Sequence, residues 1–295
     1  MDHPIGYKLA YHAKDKKFSI DDITHYDLLL LVGEGNFQLC VVDARENTCL
    51  TVEEYALEGK DSPEQRDQAL VQLFEAHTFL MAGYWRSVKL GIRNRMFALV
   101  PSSFFSNSKL AHYLTLSAEV DQHHNGYYYY QHVQAQAVMV FAAHKKLVER
   151  VRSFYPSLTV LLLHHGSALI EGIQRNRNFT YYQDMYLHAG QGRLSVVVTQ
   201  DNNLVLYNQF PYSYTQDLVR YTRGVMQALG MDANESQVTL WGNIPARSEH
   251  FQALYRYVRN ITYGERPSFL SFSNAFDEMP DHRHFDLYSL HVCES

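Results

Sequence analysis

Two short glycine turns, at 33–35 and 190–192, stand at equivalent places in two similar runs of the chain. Each turn follows an apolar run and precedes residues that alternate between apolar and polar, so each predicts a β-hairpin. The apolar residues at matching distances from the turns are Phe37, Leu39 and Val41 in the first run and Leu194, Val196 and Val198 in the second. A unit that occurs twice constrains the whole fold, because both copies must bury the same faces.

The similarity continues beyond the two hairpins. Each run goes on with a further turn, a third strand, a helix and a fourth strand. Ser62 with Gln65, and Ser213 with Gln216, have the spacing of capping boxes, which predicts that a helix begins at each place. The sequence therefore predicts an α/β protein built from two related halves.

The segment 112–160 has no counterpart in the second run and is predicted to be an inserted subdomain. Within it, Thr115–Gln122 and Tyr127–Val133 alternate around an Asn-Gly turn, which predicts a hairpin. Close to the C-terminus, Pro267–Phe272 and Phe285–Val292 are predicted to be two last strands on either side of a polar loop.

Composition excludes several classes of protein. Hydrophobic residues make up 46% of the 295 residues, which is enough for a packed core and excludes a disordered chain. The formal charge of −5 argues against general binding to nucleic acid. The N-terminus lacks the pattern of a signal peptide, and no apolar run approaches the roughly 20 residues that span a bilayer. Three scattered cysteines fit a reducing compartment, so we expect a cytoplasmic protein without a membrane partner.

The order of elements in Leu28–Leu99 and Asp184–Ile244 resembles the actin-like superfold, in which each half is ribonuclease-H-like. More closely, the chain resembles a bacterial family of unknown function with this actin-like ATPase fold. The stretches that carry this closer resemblance are Leu28–Gly33, Phe97–Pro101 and Met279–Phe285. The resemblance implies two mixed sheets with flanking helices, a first half at 1–178 that includes the insertion, and a second half at 179–295.

The same resemblance implies where a nucleotide would bind. Active members of the superfold hold it between the halves, and the first hairpin of each half presents an Asp-x-Gly turn whose acid orients a Mg²⁺-bound water. Here Val32 and Ala189 occupy the two acid positions, and Glu34 is out of register. A third motif places two glycines against the adenosine, whereas this chain has Gly242 followed by Asn243, whose side chain would crowd a nucleotide.

These departures favour a protein without catalytic residues and without a cofactor. The alternative is an actin-like ATPase or kinase-like enzyme that binds ATP with Mg²⁺ at a divergent phosphate site. If a nucleotide binds at all, the residues expected to contact it are Gly33, Glu34, Gly35, Gly190, Gly192, Gly242 and Asn243. The same glycines are also explained by ordinary turn chemistry.

Other candidate sites are weaker. His282 and His284 lie close to two aspartates in a polar loop, but no metal-ligand spacing is present and no metal is predicted. A ribonuclease-H-like nuclease needs several carboxylates around two metal ions. Asp27, Asp43 and Asp201 fall at strand ends or in turns, which does not suit such a centre.

Tyrosine is unusually frequent, with 22 residues, and four of them are consecutive at Tyr127–Tyr130. On a strand, Tyr128 and Tyr130 share a face. If that strand lies at a sheet edge, it could pair with another chain while these rings pack on it. We therefore expect a protein partner or a second copy of the chain to bind through Tyr128 and Tyr130. The alternative is that the tyrosines cover the chain's own sheet.

Overall fold

The computed structural model describes residues 6–57, 63–176 and 183–294. They divide into two compact units. The first unit comprises Met1–Ala168, Phe269–Glu278 and Asp286–Ser295, and the second comprises Leu169–Ser268 and Met279–Phe285. The predicted boundary between residues 178 and 179 lies outside the described residues, as does Ser62, the predicted helix cap.

The first unit is built on a six-stranded mixed sheet with the order β1-β4-β3-β2-β5-β9. Its central strand β2 is buried at every position, and it pairs antiparallel with β3 and parallel with β5. A strand covered on both faces is apolar along its length, which explains the leucine run in this part of the sequence. The strands are β1 (Tyr7–Lys14), β2 (Tyr26–Val32), β3 (Asn36–Asp43), β4 (Thr48–Leu57), β5 (Ser87–Ile92) and β9 (Leu161–His164).

A separate antiparallel sheet has the order β6-β8-β7, so the inserted subdomain begins earlier than the predicted residue 112: two strands lie within the predicted insertion and β6 precedes it. Its strands are β6 (Phe97–Pro101), β7 (Asn125–His132) and β8 (Ala137–His144). The middle strand β8 is almost wholly buried. One of its faces packs with Val100 and Leu114 in a small apolar cluster.

The second unit has a five-stranded mixed sheet with the order β12-β11-β10-β13-β14. The strands are β10 (Gln183–Gly190), β11 (Arg193–Gln200), β12 (Asn203–Pro211), β13 (Gln237–Gly242) and β14 (Ile261–Tyr263). Apolar side chains of the sheet, among them Leu187, Val196 and Leu240, pack with Leu218 and Leu254 from two helices.

The two main sheets have the same construction. In each, an antiparallel three-stranded meander continues into two parallel strands, as β4-β3-β2-β5-β9 in one unit and β12-β11-β10-β13-β14 in the other. This identity of order and direction confirms the predicted duplicated ribonuclease-H-like fold. The helices of the chain are α1 (Pro63–Ala76), α2 (Leu110–Leu114), α3 (Lys145–Phe154), α4 (His165–Arg175), α5 (Thr215–Leu229), α6 (Glu249–Tyr257) and α7 (Phe285–Ser289).

Three predicted strands are wrong. Thr115–Gln122 is not a strand: α2 ends at Leu114 and continues into turns, with the N–H of Ala118 bonded to the carbonyl of Leu114. Phe285–Val292 forms α7 and a 3-10 turn, because a short buried run fits a helix as well as a strand. Pro267–Phe272 makes only an isolated bridge from Ser271 to Thr48.

The predicted cap of α5 is displaced by one residue. Tyr214, not Ser213, is at the N-cap. The Asp217 carboxylate accepts the N–H groups of Ser213 at 3.0 Å and Tyr214 at 3.2 Å. The helix therefore starts with a carboxylate at its positive end, as the helix dipole favours.

Candidate functional site: the glycine turns and the C-terminal strap

The first glycine turn joins β2 to β3 in a tight hairpin. The N–H of Gly33 donates to the carbonyl of Asn36 at 2.9 Å, and the N–H of Leu57 donates to the carbonyl of Gly35 at 3.0 Å. Glu34 is exposed at the tip. The turn is therefore held on one side by the last residue of β4.

The second glycine turn joins β10 to β11 in the same way. Gln191 and Gly192 have φ of 53° and 69°, which is the left-handed pair that a two-residue hairpin turn requires. The N–H of Tyr212 donates to the carbonyl of Gly192 at 2.8 Å. This bond is the counterpart of the one from Leu57 to Gly35, so each turn is held at the same place by the residue at the end of the third strand.

In active actin-like proteins, the resemblance implies an acid directly before the first glycine of each turn. In this chain the residues at these two positions are buried and apolar. Val32 is 3% exposed and Ala189 is fully buried. Both are the residues before the first glycine of their turn. A carboxylate at either position would be removed from water inside its sheet, which is costly in free energy.

A buried polar cluster lies beside the first turn. The Arg93 guanidinium, just after β5, donates to Asn36 Oδ1 at 3.3 Å, Gln38 Oε1 at 3.2 Å and Asp286 Oδ2 at 2.5 Å. Arg93 and Asp286 are both buried. Removing one member of such a pair leaves an uncompensated buried charge, so the cluster fixes β3, β5 and α7 together in the first unit.

A cavity of about 390 Å³ opens next to Gly33 and Glu34 in the first unit. The ionisable side chains that line the cavity include both acids and bases: Glu34, Glu64, Asp121, Arg66, Arg93, His124 and His144. The His124 imidazole lies 2.6 Å from Asp121 and holds the pKa of that carboxyl below its ordinary value. Carboxylates in the lining repel phosphate groups, so the cavity is not the uniformly basic cradle that a polyphosphate favours.

In the second unit, β13 ends at Gly242 with φ of 101°. Its N–H donates to the carbonyl of His282 at 2.8 Å, and the N–H of Asn243 donates to the carbonyl of Ala189 at 2.7 Å. A Cβ atom on Gly242 would overlap the backbone of Ala189. The glycine is therefore required by the chain's own packing between neighbouring strands.

The segment Met279–Phe285, which we call the C-terminal strap, lies over this end of β13. The Phe285 ring stacks on the Trp241 indole with centroids 3.9 Å apart, and the His282 ring lies 4.4 Å from that of Tyr263. Burial lowers the pKa of His282 below its ordinary value. The strap thus covers the ends of β13 and β14.

Arg266 holds the beginning of the strap. Its guanidinium donates to the carbonyl of Met279 at 3.0 Å and lies 2.9 Å from Asp281 Oδ1. The Trp241 indole N–H donates to the carbonyl of Glu265 at 3.1 Å. The Arg266 bonds therefore fix the first residues of the strap, and the indole bond fixes the Trp241 ring on which Phe285 stacks.

The structure brings the predicted residues together within each unit. Gly33, Glu34 and Gly35 share one turn. In the other unit Ala189 and Gly242 are register partners, so the Gly190 and Gly192 turn adjoins the Gly242-Asn243 end of β13. Asn243 is exposed.

Sequence reasoning singled out Met279–Phe285 as a stretch that carries the family resemblance, but it missed the contact of this segment with β13, and it missed Arg93. The contact could not be recognised because the segment looks like a polar loop with one aromatic residue. Arg93 gave only the signal of a charged residue directly after a buried strand.

The tyrosine strand β7 is at the edge of its sheet within the described residues. Tyr130 is buried at 8% exposure, and its hydroxyl accepts the N–H of Glu294 at 3.3 Å. Tyr128 is half-buried with its ring 5.9 Å from Phe141. The exposed ring of the strand is Tyr129, at 44%. Tyr130 is therefore a core residue, and Tyr129 is the ring that another molecule can reach.

Metal-ligating side chains are not clustered in the described part of the chain: no three of its His, Cys, Asp or Glu residues are placed to hold one ion. His282 and His284 are both buried. No helix within 6–57, 63–176 and 183–294 is both long and apolar enough to cross a membrane.

The duplicated sheets and their paired glycine turns define an actin-like protein. Within that class, the chain belongs to the DUF3822 family, described as proteins of unknown function, whose pattern matches residues 15–261. No curated protein matches the sequence significantly.

Solved structures agree with this class. A Bacteroides thetaiotaomicron protein with actin-like ATPase fold and unknown function is 14% identical, with a TM-score of 0.78 over 94% of this chain and 99% of the other. A PilM–PilN type IV pilus biogenesis complex contains a chain that is 12% identical, with a TM-score of 0.59 over 91% of this chain and 99% of the other. At these identities the similarity shows the fold alone.

Proposed function

We propose that this chain is a non-catalytic actin-like scaffold that works by binding another protein or a second copy of itself. The observation that carries the proposal is the C-terminal strap, whose His282 carbonyl accepts the N–H of Gly242. Gly242 and Asn243 are the positions that the sequence resemblance places against an adenosine. A chain that fills this place with its own backbone completes its fold without a nucleotide.

The two acid positions support the same proposal. Val32 and Ala189 offer only methyl groups where active relatives present carboxylates, and both are buried in their sheets. Neither can orient a Mg²⁺-bound water. The acid is missing from both copies of the duplicated unit. Two missing acids are harder to replace by other side chains than one.

A protein partner is supported by the comparison with PilM–PilN, in which a chain of similar fold is found in a complex with another protein. Three large apolar side chains in the insertion and just before it are exposed, which is compatible with such a role. Phe104, Leu116 and Val133 are 75%, 94% and 79% exposed.

The second candidate function is that of a nucleotide-dependent ATPase or kinase-like enzyme with Mg²⁺. One observation favours it: the cavity beside Gly33 and Glu34 is open and borders a glycine turn. Glu34 is the only acid in that turn. It would have to take over the role of the missing acid from a different position in the turn than the one that Val32 occupies.

Phosphate release from ATP with Mg²⁺ tests the proposal. We expect the purified chain to release phosphate no faster than buffer alone. Glu34→Gln is the informative variant, and Glu75→Gln, on the exposed end of α1, is its matched control. Release above the blank that falls at least about tenfold in Glu34→Gln, but not in Glu75→Gln, would support the enzyme instead.

A further inference from the structure

A groove of about 690 Å³ lies on the second unit between α5 and α6. Its walls are formed by exposed polar residues of the two helices, and its floor by small or half-buried ones. It shares no residue with the glycine turns or the strap. We call it the arginine groove, after Arg220, Arg223 and Arg256 in its lining.

The charges of the arginine groove are unbalanced. Against the three arginines stands one carboxylate, Glu249. Arg220 is paired with Asp217 at 3.0 Å. Arg223 lies over the Tyr257 ring at 5.0 Å, and neither it nor Arg256 has an ion-pair partner in the described part of the chain. A local excess of positive charge on a chain with a net charge of −5 is an electrostatic recognition feature.

The floor of the groove is open because Gly224 lies in the middle of α5. A Cβ atom built on Gly224 would meet no atom within 4 Å, so the chain's own packing does not require a glycine there. Glycine costs helix stability relative to alanine. Gly224 and Ala253 both line the groove, and the missing side chain of Gly224 leaves room for the backbone of another chain to approach closely.

We propose that the arginine groove binds a short acidic segment of a partner protein. This inference rests on the proposed scaffold function and names the chemistry of the partner. Guanidinium groups bind carboxylates through paired hydrogen bonds, and Arg223 and Arg256 approach the groove from opposite helices. Gln227 and Gln252 add side-chain amides that can bond to the main chain of the segment.

A protein segment fits the groove better than a nucleic acid. The net negative charge of the chain repels a long polyanion, whereas a segment with a few carboxylates meets mainly the local positive charge. The groove is also short, since nine residues of α6 extend over only about 14 Å. The occupant is therefore a segment of a few residues held by about two carboxylates, one for each of Arg223 and Arg256.

Fluorescence anisotropy tests this with a fluorescein-labelled peptide in which glutamates are interspersed with leucine and serine. We expect the peptide to bind the wild-type chain and the doubly substituted Arg223→Glu, Arg256→Glu chain to lose at least about tenfold in affinity. Arg247→Glu with Arg259→Glu is the matched control, because it makes the same charge change at exposed arginines of the same unit outside the groove. The control should stay within about threefold of wild type.

Reversing the charges of both the peptide and the groove gives a second test of the same contact. A peptide with lysine in place of each glutamate should bind the Arg223→Glu, Arg256→Glu chain more tightly than wild type. Gly224→Trp, which fills the floor without changing charge, should weaken the glutamate peptide as well. Urea unfolding of each variant shows that the fold is retained.

Three results would overturn the inference: no binding of the glutamate peptide to wild type, equal loss in the control variant, or tighter binding of an oligothymidylate or of phosphatidylserine vesicles through the same arginines. None of the residues substituted in this test lies at the glycine turns. If the peptide does not bind and no phosphate is released from ATP, the groove inference is overturned and the scaffold proposal is retained. If phosphate is released, the scaffold proposal is overturned whether or not the peptide binds.

Discussion

Trp241 and Phe285 lie face to face, with ring centroids 3.9 Å apart and planes 14° from parallel. Tyr186 stacks on the same indole at 5.7 Å. Both Trp241 and Phe285 are buried. The C-terminal strap is therefore part of the packed core of the second unit, and it ties the end of β13 to a segment far along the chain.

Replacing Phe285 tests how firmly the strap is packed. We expect Phe285→Ala to lower the free energy of unfolding by about 3–5 kcal/mol, because it removes a fully buried ring and leaves a cavity. Urea denaturation measures the loss. Phe104→Ala, at a ring that is 75% exposed, is the control and should change stability by less than about 0.5 kcal/mol. Equal effects would mean that the strap is not packed as described.

The second prediction compares two glycines, one in a crowded part of the structure and one in open space. Gly242→Ala should destabilise by at least about 2 kcal/mol, because φ is 101° and the new Cβ overlaps the backbone of Ala189. Gly224→Ala should stabilise by about 0.5–1 kcal/mol, because it adds a better helix former in open space. Thermal unfolding of both variants beside wild type checks the two signs. A neutral Gly242→Ala would contradict the close approach of β10 and β13.

The duplicated hairpins were predictable because they follow local rules. Gly192 supplies a left-handed turn residue, and the apolar residues on either side of the turn fit strands that are buried along most of their length. The edge strand β1 gave no such signal. Its residues are mostly exposed, so the sequence carries little apolar alternation there, and only pairing with β4 makes it a strand.

The third prediction concerns His164, which is fully buried at the end of β9. One ring nitrogen, Nε2, donates to the carbonyl of Asn94 at 3.0 Å, and Nδ1 accepts the N–H of Gly166 at 3.1 Å. Burial, with a smaller contribution from His165, holds the pKa of His164 well below its ordinary value of 6.5. The imidazole is therefore neutral in the folded chain, with its tautomer fixed by two bonds.

Because the folded pKa of His164 is depressed, the unfolded chain binds a proton at this residue below pH 6.5 while the folded chain does not. The free energy of unfolding therefore falls as pH drops below 6.5, by up to about 1.4 kcal/mol per pH unit from this group. Urea unfolding at several pH values should show a shallower fall for His164→Gln than for wild type. Should His164→Gln fail to fold, the NMR titration of labelled histidines in wild type decides: a His164 resonance that titrates near pH 6.5 would contradict the prediction.

Two neighbouring tyrosines of β7 give the fourth prediction. Tyr130→Ser should lower the free energy of unfolding by about 3 kcal/mol, because its ring is buried at 8% exposure. Tyr129→Ser, at 44% exposure, should leave stability nearly unchanged and is the variant that weakens association. Denaturation curves and light scattering separate the two effects. A larger stability loss for Tyr129→Ser would contradict the placement of these rings.

The candidate site was predictable only in part. Val32, Ala189 and Asn243 could be recognised as departures because they sit at fixed distances from turn glycines. The bond from Gly242 to His282 and the Arg93–Asp286 pair could not, because each joins residues whose approach is set by the path of the C-terminal segment rather than by local spacing. Long-range pairing of this kind leaves no periodic pattern in a sequence.

Thermal unfolding with and without ATP or ADP and Mg²⁺ tests the central claim, that the chain completes its fold without a nucleotide. A ligand at 100 times its dissociation constant adds ~2.7 kcal/mol, which for units of this size raises the midpoint by roughly 5–10 °C. We expect a midpoint that stays within about 1 °C of that of the chain alone with either nucleotide. A rise of several degrees that is removed by chelating Mg²⁺, and that inorganic triphosphate does not reproduce, would contradict it.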